Sequence, residues 1–181
     1  MRKATAVLQR RMGAGLAADP GFTRCAHGQA CPIQALAQHV ISVCTRFNKR
    51  ATLPFFDLDQ FKQINDTFGH AEGDRALIRF AGMLLDAFRE SDVLGRLGGD
   101  EFVVMVAAGE PGTIAAPLAR LQTAIDQYND ATQSGPTLAF SFGSVEFEPS
   151  CHAIVQELLT AADRNMYKQK RGRRPRTPIQ P

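Results

Sequence analysis

No apolar run in this chain approaches the ~18 residues that a membrane-spanning helix requires, so no bilayer crossing is expected. Charge of one sign is equally scarce. The 21 Lys and Arg against 18 Asp and Glu leave a net charge of +3, too little to argue for DNA or RNA as a partner. Residues 1–18 start basic but hold no continuous apolar segment of the kind a secretory signal needs. The expectation is therefore a cytoplasmic location, with Cys25, Cys31, Cys44 and Cys151 as reduced thiols. Cys25, His27, Cys31 and His39 crowd one region, but their spacing matches no standard zinc pattern. No internal repeat is visible.

What is present is an ordinary globular composition, 44% hydrophobic and 22% charged over 181 residues. This length suits one domain with peripheral segments. The reading is an N-terminal helical segment over 1–18, a main domain over 19–172, and a basic, proline-rich tail over 173–181. Asp19-Pro20-Gly21 stops the first helix. Residues 33–49 are amphipathic, with Ile33, Leu36, Ala37, Val40, Ile41, Cys44 and Phe47 at helical spacing. A buried strand over 53–56 runs into Asp57-Leu58-Asp59. Pro54 makes that strand locally an edge, bulged, or shorter than it looks. A short helix over 60–68 closes at Gly69, and a longer one follows over 71–89. Strands over 92–97 and 102–107 flank Gly98-Gly99, a pair that signals a hairpin turn. Then come a helix over 113–133, a strand over 137–147 and a helix over 151–168, with the chain fraying from Lys168 onward. This order predicts an α/β sandwich: a mixed central sheet with helices on its faces.

Two acidic groups stand out. Asp57 and Asp59 end one strand, and Asp100 and Glu101 sit at a hairpin tip. A sheet can bring such ends together. Clustered carboxylates repel each other, and a bound cation relieves that repulsion. Oxygen ligands suit Mg²⁺ or Mn²⁺, which keep waters and take up substrate phosphates. As single residues these acids read more readily as solvated loop carboxylates; two pairs around an apolar strand and a Gly-Gly turn shift the balance without identifying the reaction.

Three stretches narrow the choice: Phe56-Asp57-Leu58-Asp59-Gln60-Phe61-Lys62-Gln63-Ile64-Asn65-Asp66, Gly69-His70-Ala71-Glu72-Gly73-Asp74, and Arg96-Leu97-Gly98-Gly99-Asp100-Glu101-Phe102. In order and separation they resemble the GGDEF family of diguanylate cyclases, over about residues 50–172. The resemblance implies a palm-like fold shared with nucleotidyl cyclases and polymerase palms. It implies a reaction that joins two GTP into cyclic di-GMP and releases two pyrophosphates. It implies two Mg²⁺ or Mn²⁺ per active site, with Asp57, the Leu58 carbonyl, Asp100 and Glu101 as ligands. Asp100 and Glu101 would be the catalytic pair, Asp100 acting as base for the 3′-hydroxyl. Phe61 and Lys62 correspond to phosphate contacts, and a helix N-terminus there suits an anion. Asn65 and Asp74 correspond to guanine contacts; a carboxylate at Asp74 selects GTP over ATP. His70 lies beside that pocket in the family, and a packing role is the alternative. Gly98 and Gly99 leave room for ribose and phosphates.

The segment Ala162-Asp163-Arg164-Asn165-Met166-Tyr167-Lys168-Gln169-Lys170 is similar to the family's closing motif. It puts Lys170 on the terminal phosphates, with Arg174 (or Arg173, by a different count) beside it. Arg89-Glu90-Ser91-Asp92 resembles the family's inhibitory RxxD site, where Arg89 and Asp92 would hold cyclic di-GMP. The family's opening DxLTGLxNR segment is not kept: only Asp19-Pro20 survives in DPGFTRCAH. The resemblance implies a homodimer, since each domain holds one GTP. It also leaves a second reading, a catalytically impaired module that binds GTP or cyclic di-GMP and signals to a partner protein. No sensor segment is legible, so a piece of a longer regulated protein and a small stand-alone enzyme remain equal readings.

Overall fold

The computed structural model describes residues 32–107, 114–132, 134–150 and 154–172. The helix expected over 2–18, Asp19-Pro20, Cys25, His27, Cys31, Cys151, Arg173 and Arg174 lie outside the described residues. The elements run α1 (Pro32–Arg46), β1 (Ala51–Leu58), α2 (Phe61–Phe68), α3 (His70–Ala87), β2 (Val93–Gly98), β3 (Glu101–Ala107), α4 (Ala115–Ala131), β4 (Phe140–Phe147) and α5 (Val155–Gly172). No helix among the described residues is long and apolar enough to cross a membrane.

The sheet has the order β2-β3-β1-β4. Every neighbouring pair is antiparallel, which corrects the mixed sheet expected from the sequence. The reason lies in the hairpin. Through α2 and α3, β1 crosses over to β2, which runs parallel to it; the hairpin then inserts β3 between them. The same happens on the other side, where α4 carries the chain past β1 to β4. Parallel strands are thus always second neighbours, the split β-α-β arrangement.

Alternation along β1 sorts the core into two layers. Phe56 and Leu58 face a cluster with Phe102, Val104, Phe140, Ile64 of α2, Leu77, Phe80 and Leu84 of α3, and Leu121 and Ile125 of α4. Leu53 and Phe55 face the other cluster, with Val103, Met105, Phe147, Ile41 of α1, and Leu158, Ala162 and Met166 of α5. β1 is therefore buried on both faces, and a one-residue slip would exchange the two sets. Aromatic rings lock the first layer. Phe80 meets Phe102 edge-on at 5.2 Å and Phe56 at 6.5 Å, and Phe56 meets Phe88 at 6.0 Å.

Several expectations shift. β1 is longer than 53–56, and it is central rather than an edge despite Pro54. The Leu58 N–H donates to Asp100 O at 3.2 Å, so even-numbered residues turn their backbones toward β3. Pro54 lies on that side. Pairing with β3 lapses at Leu53 and Pro54 and resumes in the same register, while pairing with β4 runs unbroken. The missing N–H is absorbed without a bulge. β4 starts at Phe140 rather than 137, because the Asn129 side chain occupies the Leu138 backbone: its amide donates to Leu138 O at 2.8 Å and accepts from Leu138 N at 2.7 Å. α1 ends at Arg46, before Asn48 with φ 49°, and Phe47 is 64% exposed instead of facing the core. α5 continues through Gly172 where fraying was expected from Lys168.

Gly143 sets how closely α5 lies on the sheet. A Cβ there would stand 2.1 Å from Met166 N and 2.2 Å from Ala162 O, both backbone atoms that cannot turn aside. Gly143→Ala is expected to push α5 off β4 and to cost about 1–3 kcal/mol, the usual range for overpacking. Urea unfolding monitored by circular dichroism checks this.

Candidate active site

The register that buries the core also fixes the acids. Asp57 and Glu101 are directly opposed across β1 and β3. Both follow the alternation of Phe55 and Val103, so both side chains stand on the α5 side of the sheet. The turn between β2 and β3 consists of Gly99 and Asp100. This refines the expected Gly98-Gly99 turn: Gly99 has φ 51°, while Gly98 is the last residue of β2 and has no left-handed dihedral. A shift of one residue between Arg96 and Gly98 marks a bulge. The Arg96 guanidinium then donates twice to Gly99 O, at 2.8 and 2.6 Å, and holds the turn. A Cβ on either Gly98 or Gly99 would meet nothing within 4 Å. Gly98 is therefore not required by the fold, and the space beside it is open.

Lys170 completes the group from α5. Its ammonium donates to Asp57 Oδ1 at 2.5 Å and stands 3.9 Å from Asp59 Oδ1. Burial raises the Asp57 carboxyl above the ordinary range, with the charges of Asp100 and Asp59 adding to it and Lys170 opposing. Burial also raises Glu101, helped by Asp100, Asp57 and Asp163. Burial disfavours the charged Lys170, but its bond to Asp57 and the surrounding carboxylates outweigh that and hold its pKa above the ordinary lysine value. Two further partners carry no individual role in the sequence reading. Asp59 had been noted as an acid without a role, and Ser141, 1% exposed, donates to Asp59 Oδ1 at 2.6 Å. Counting odd positions along β4 would have placed Ser141 on the α5 side.

The remaining expected residues form two further groups. Asn65 on α2 packs against Gly73 on α3, so closely that a Cβ at Gly73 would lie within 2.9 Å of Asn65 Cγ. This brings Asn65 beside the residue before Asp74. Asp74 and Lys62 are exposed and have no hydrogen-bond or ion-pair partner among the described residues. His70 is exposed at the start of α3, and Phe61 begins α2 with its ring against the core. Gln60, in the left-handed region at φ 59°, precedes α2 without a side-chain cap. Arg89 and Asp92 meet in a tight turn: Asp92 Oδ2 accepts from the Arg89 N–H at 2.9 Å. Burial raises the Asp92 carboxyl, opposed by that bond and by the Arg89 charge. This turn precedes β2, one strand length from the Gly99 turn, or roughly 20 Å.

A family profile described as "Diguanylate cyclase, GGDEF domain" matches residues 31–176. The chain belongs to this family. A curated relative, "Probable diguanylate cyclase DgcC" of Escherichia coli K12, is 35% identical over 136 residues, covering 75% of this chain and 36% of that protein. This chain thus spans about a third of that relative's length. The GGDEF domain of YfiN (TpbB) from Pseudomonas aeruginosa is 27% identical, with a TM-score of 0.66, covering 77% of this chain and 88% of that one. The GGDEF domain of DgcB from Caulobacter crescentus, solved in complex with c-di-GMP, is 21% identical with a TM-score of 0.68, covering 76% and 82%, a likeness of fold. The palm-like fold expected from the sequence is therefore observed, with a wholly antiparallel sheet.

The GGDEF domain's acidic end is built from oxygen donors, the chemistry of a hard divalent cation. No three His, Cys, Asp or Glu side chains among the described residues converge closely enough to hold an ion alone.

The raised carboxyls give a pH prediction. Asp57 and Glu101 bind protons more readily folded than unfolded. Their contribution to stability is full below the ordinary carboxylate range and is lost as pH rises through their raised folded values. Asp100→Asn removes a charge that disfavours both, at the smaller loss of one of the carboxylates that favour charged Lys170. It is expected to flatten that loss and to raise metal-free stability at neutral pH by up to about 1 kcal/mol. Thermal scans from about pH 4 to about pH 8 check it. An unchanged or lower neutral-pH midpoint would contradict the like-charge account.

Proposed function

We propose that this GGDEF domain is a diguanylate cyclase that condenses two GTP into cyclic di-GMP with release of two pyrophosphates. The observation that carries this reading is the convergence of Asp57, Glu101 and Lys170, drawn from β1, β3 and α5, beside the open space at Gly98 and Gly99. Asp57, the Leu58 carbonyl, Asp100 and Glu101 would hold Mg²⁺ or Mn²⁺, two per active site. Such ions supply charge neutralisation of the triphosphate and a lowered pKa for the attacking hydroxyl. Asp100, at the turn, would take the proton of the 3′-hydroxyl. Lys62 and the N–H of Phe61 would meet phosphate at the start of α2, and Lys170 would meet it from α5, with Arg174 alongside. Asn65 and Asp74 would bind the guanine edge; the exposed, unpaired Asp74 carboxylate is suited to accept from N1–H and the exocyclic amine. His70 would flank them.

One domain presents one GTP site, and joining two nucleotides head to tail requires two such sites face to face. The working unit is accordingly a homodimer. Arg89 and Asp92 would bind the product and restrain the enzyme from the far end of β2. A domain of the same fold, that of DgcB from Caulobacter crescentus, was solved in complex with c-di-GMP. The setting is bacterial cyclic di-GMP signalling in the cytoplasm.

Incubation with GTP and Mg²⁺ over a range of protein concentrations, read by mass spectrometry, is expected to give cyclic di-GMP with a rate that rises faster than linearly. Asp100→Ala is expected to lower turnover by at least about 100-fold. Arg89→Ala is expected to keep turnover and lose inhibition by added product. Tight calorimetric binding of cyclic di-GMP with no product at any concentration would return the reading of an impaired binding module.

A further inference from the structure

Asp57 cannot hold an ammonium and a divalent cation equally well, because the two cations repel across one carboxylate. Lys170 already occupies Asp57 Oδ1 at 2.5 Å. If Asp57 turns Oδ1 to a metal, the ammonium must give up that oxygen, and its cost of leaving depends on where it can go.

A second acceptor stands ready. Asp59 follows β1 and is held on the same side as Asp57. Its N–H donates to Ala139 O at 2.9 Å, anchoring it beside the start of β4. Its carboxylate is fixed by Ser141, a buried hydroxyl with its proton on Asp59 Oδ1 at 2.6 Å. Buried hydroxyls keep such partners because an unmade bond there is costly. The same Oδ1 lies 3.9 Å from the Lys170 ammonium. A movement of about 1 Å would bring that pair to hydrogen-bond distance, well within the swing of a lysine stem. The Lys170 side chain is 41% exposed, which leaves room for the ammonium to pivot.

We propose that Asp59, oriented by Ser141, is a positioning residue that receives the Lys170 ammonium when Asp57 turns to the divalent cation. The inference rests on the reading of this site as metal-dependent. In its terms Lys170 is a tethered counter-ion in the metal-free protein. Asp59 keeps the released ammonium close to Asp57, on the side where phosphate arrives, instead of letting it swing into water.

The test measures Mn²⁺ uptake by electron paramagnetic resonance on the full chain, with a saturating, unreactive α,β-methylene GTP. Wild type, Asp59→Asn, Ser141→Ala, Lys170→Met and the Asp59→Asn/Lys170→Met pair are compared. Asn keeps the shape of Asp and can still accept from Ser141. Asp59→Asn is expected to weaken Mn²⁺ binding about three- to tenfold, in the lower part of the range of direct pair couplings. Ser141→Ala is expected to weaken it less. In the Lys170→Met background, Asp59→Asn is expected to change nothing, since no ammonium needs a second acceptor. Equal weakening in both backgrounds would mean that Asp59 acts on the ion by its charge alone, which overturns the proposal. No weakening in wild-type background overturns it as well, and leaves the cyclase reading intact. A wild type that takes up no Mn²⁺ removes the metal-dependent reading and this inference together.

Discussion

The acidic end of the molecule depends on one constraint, the register of β1 against β3. That register is fixed by apolar burial on both faces of β1, far from the acids themselves. A one-residue slip would carry Phe56 and Leu58 out of the aromatic layer of Phe80, Phe102 and Phe140 and turn Asp57 into it. Once the register is fixed, Asp57 must oppose Glu101. Like charges directly opposite across a sheet are unfavourable, so the core imposes a juxtaposition that local electrostatics resists. The edge-on contacts of Phe56, Phe80 and Phe102, each worth about 0.5–1.5 kcal/mol beyond area burial, lie beneath the strand ends that carry these acids. They hold the ends in place against the repulsion.

The cation that tempers the repulsion arrives by a separate route. Lys170 is one turn beyond the point where α5 crosses Gly143, and that crossing is close enough that no side chain fits beneath it. Sheet and helix thus contribute opposite charges to one place, and a glycine sets their distance. At the hairpin, Arg96 grips Gly99 O and gives the turn a fixed shape while leaving the space above Gly98 empty. The fold therefore supplies rigidity around the acidic end and open space beside its hairpin turn.

Much of this was legible in the sequence. Helical periodicity identified α3, and its apolar positions Leu77, Phe80 and Leu84 are buried in the structure. The hairpin and the two acidic groups were legible for the same local reasons: glycine at a turn, and acids at the ends of apolar runs. What was not legible depended on partners remote in sequence. The antiparallel sheet follows from where β3 inserts, which no local pattern specifies. Pro54 looked like an edge signal because propensity rules assume that a lost ladder bond is decisive; here the unbroken pairing with β4 and burial on both faces outweigh it. Leu138 alternated like a strand residue, yet a side chain nine residues back holds its backbone. The Ser141–Asp59 bond joins residues 82 apart, and only the register of β4 on β1 brings them together.

The distribution of conflict in the molecule is informative. Among the described residues, no buried side-chain nitrogen or oxygen lacks a hydrogen-bond partner. Loose helix ends are tended as well, as where Arg120 of α4 donates twice to Ala87 O at the end of α3. Against that background the raised carboxyls of Asp57 and Glu101, pressed by Asp100, are a local inconsistency that the fold tolerates rather than requires. Replacing an acid at a turn such as Asp100 would break no packing and would relieve two neighbours. Sequences that violate local rules in one place while keeping them elsewhere do so at functional sites. On the proposed reading, the charge of this cluster would be completed from outside, by cations and the phosphates they bring, with Lys170 holding part of that role in their absence.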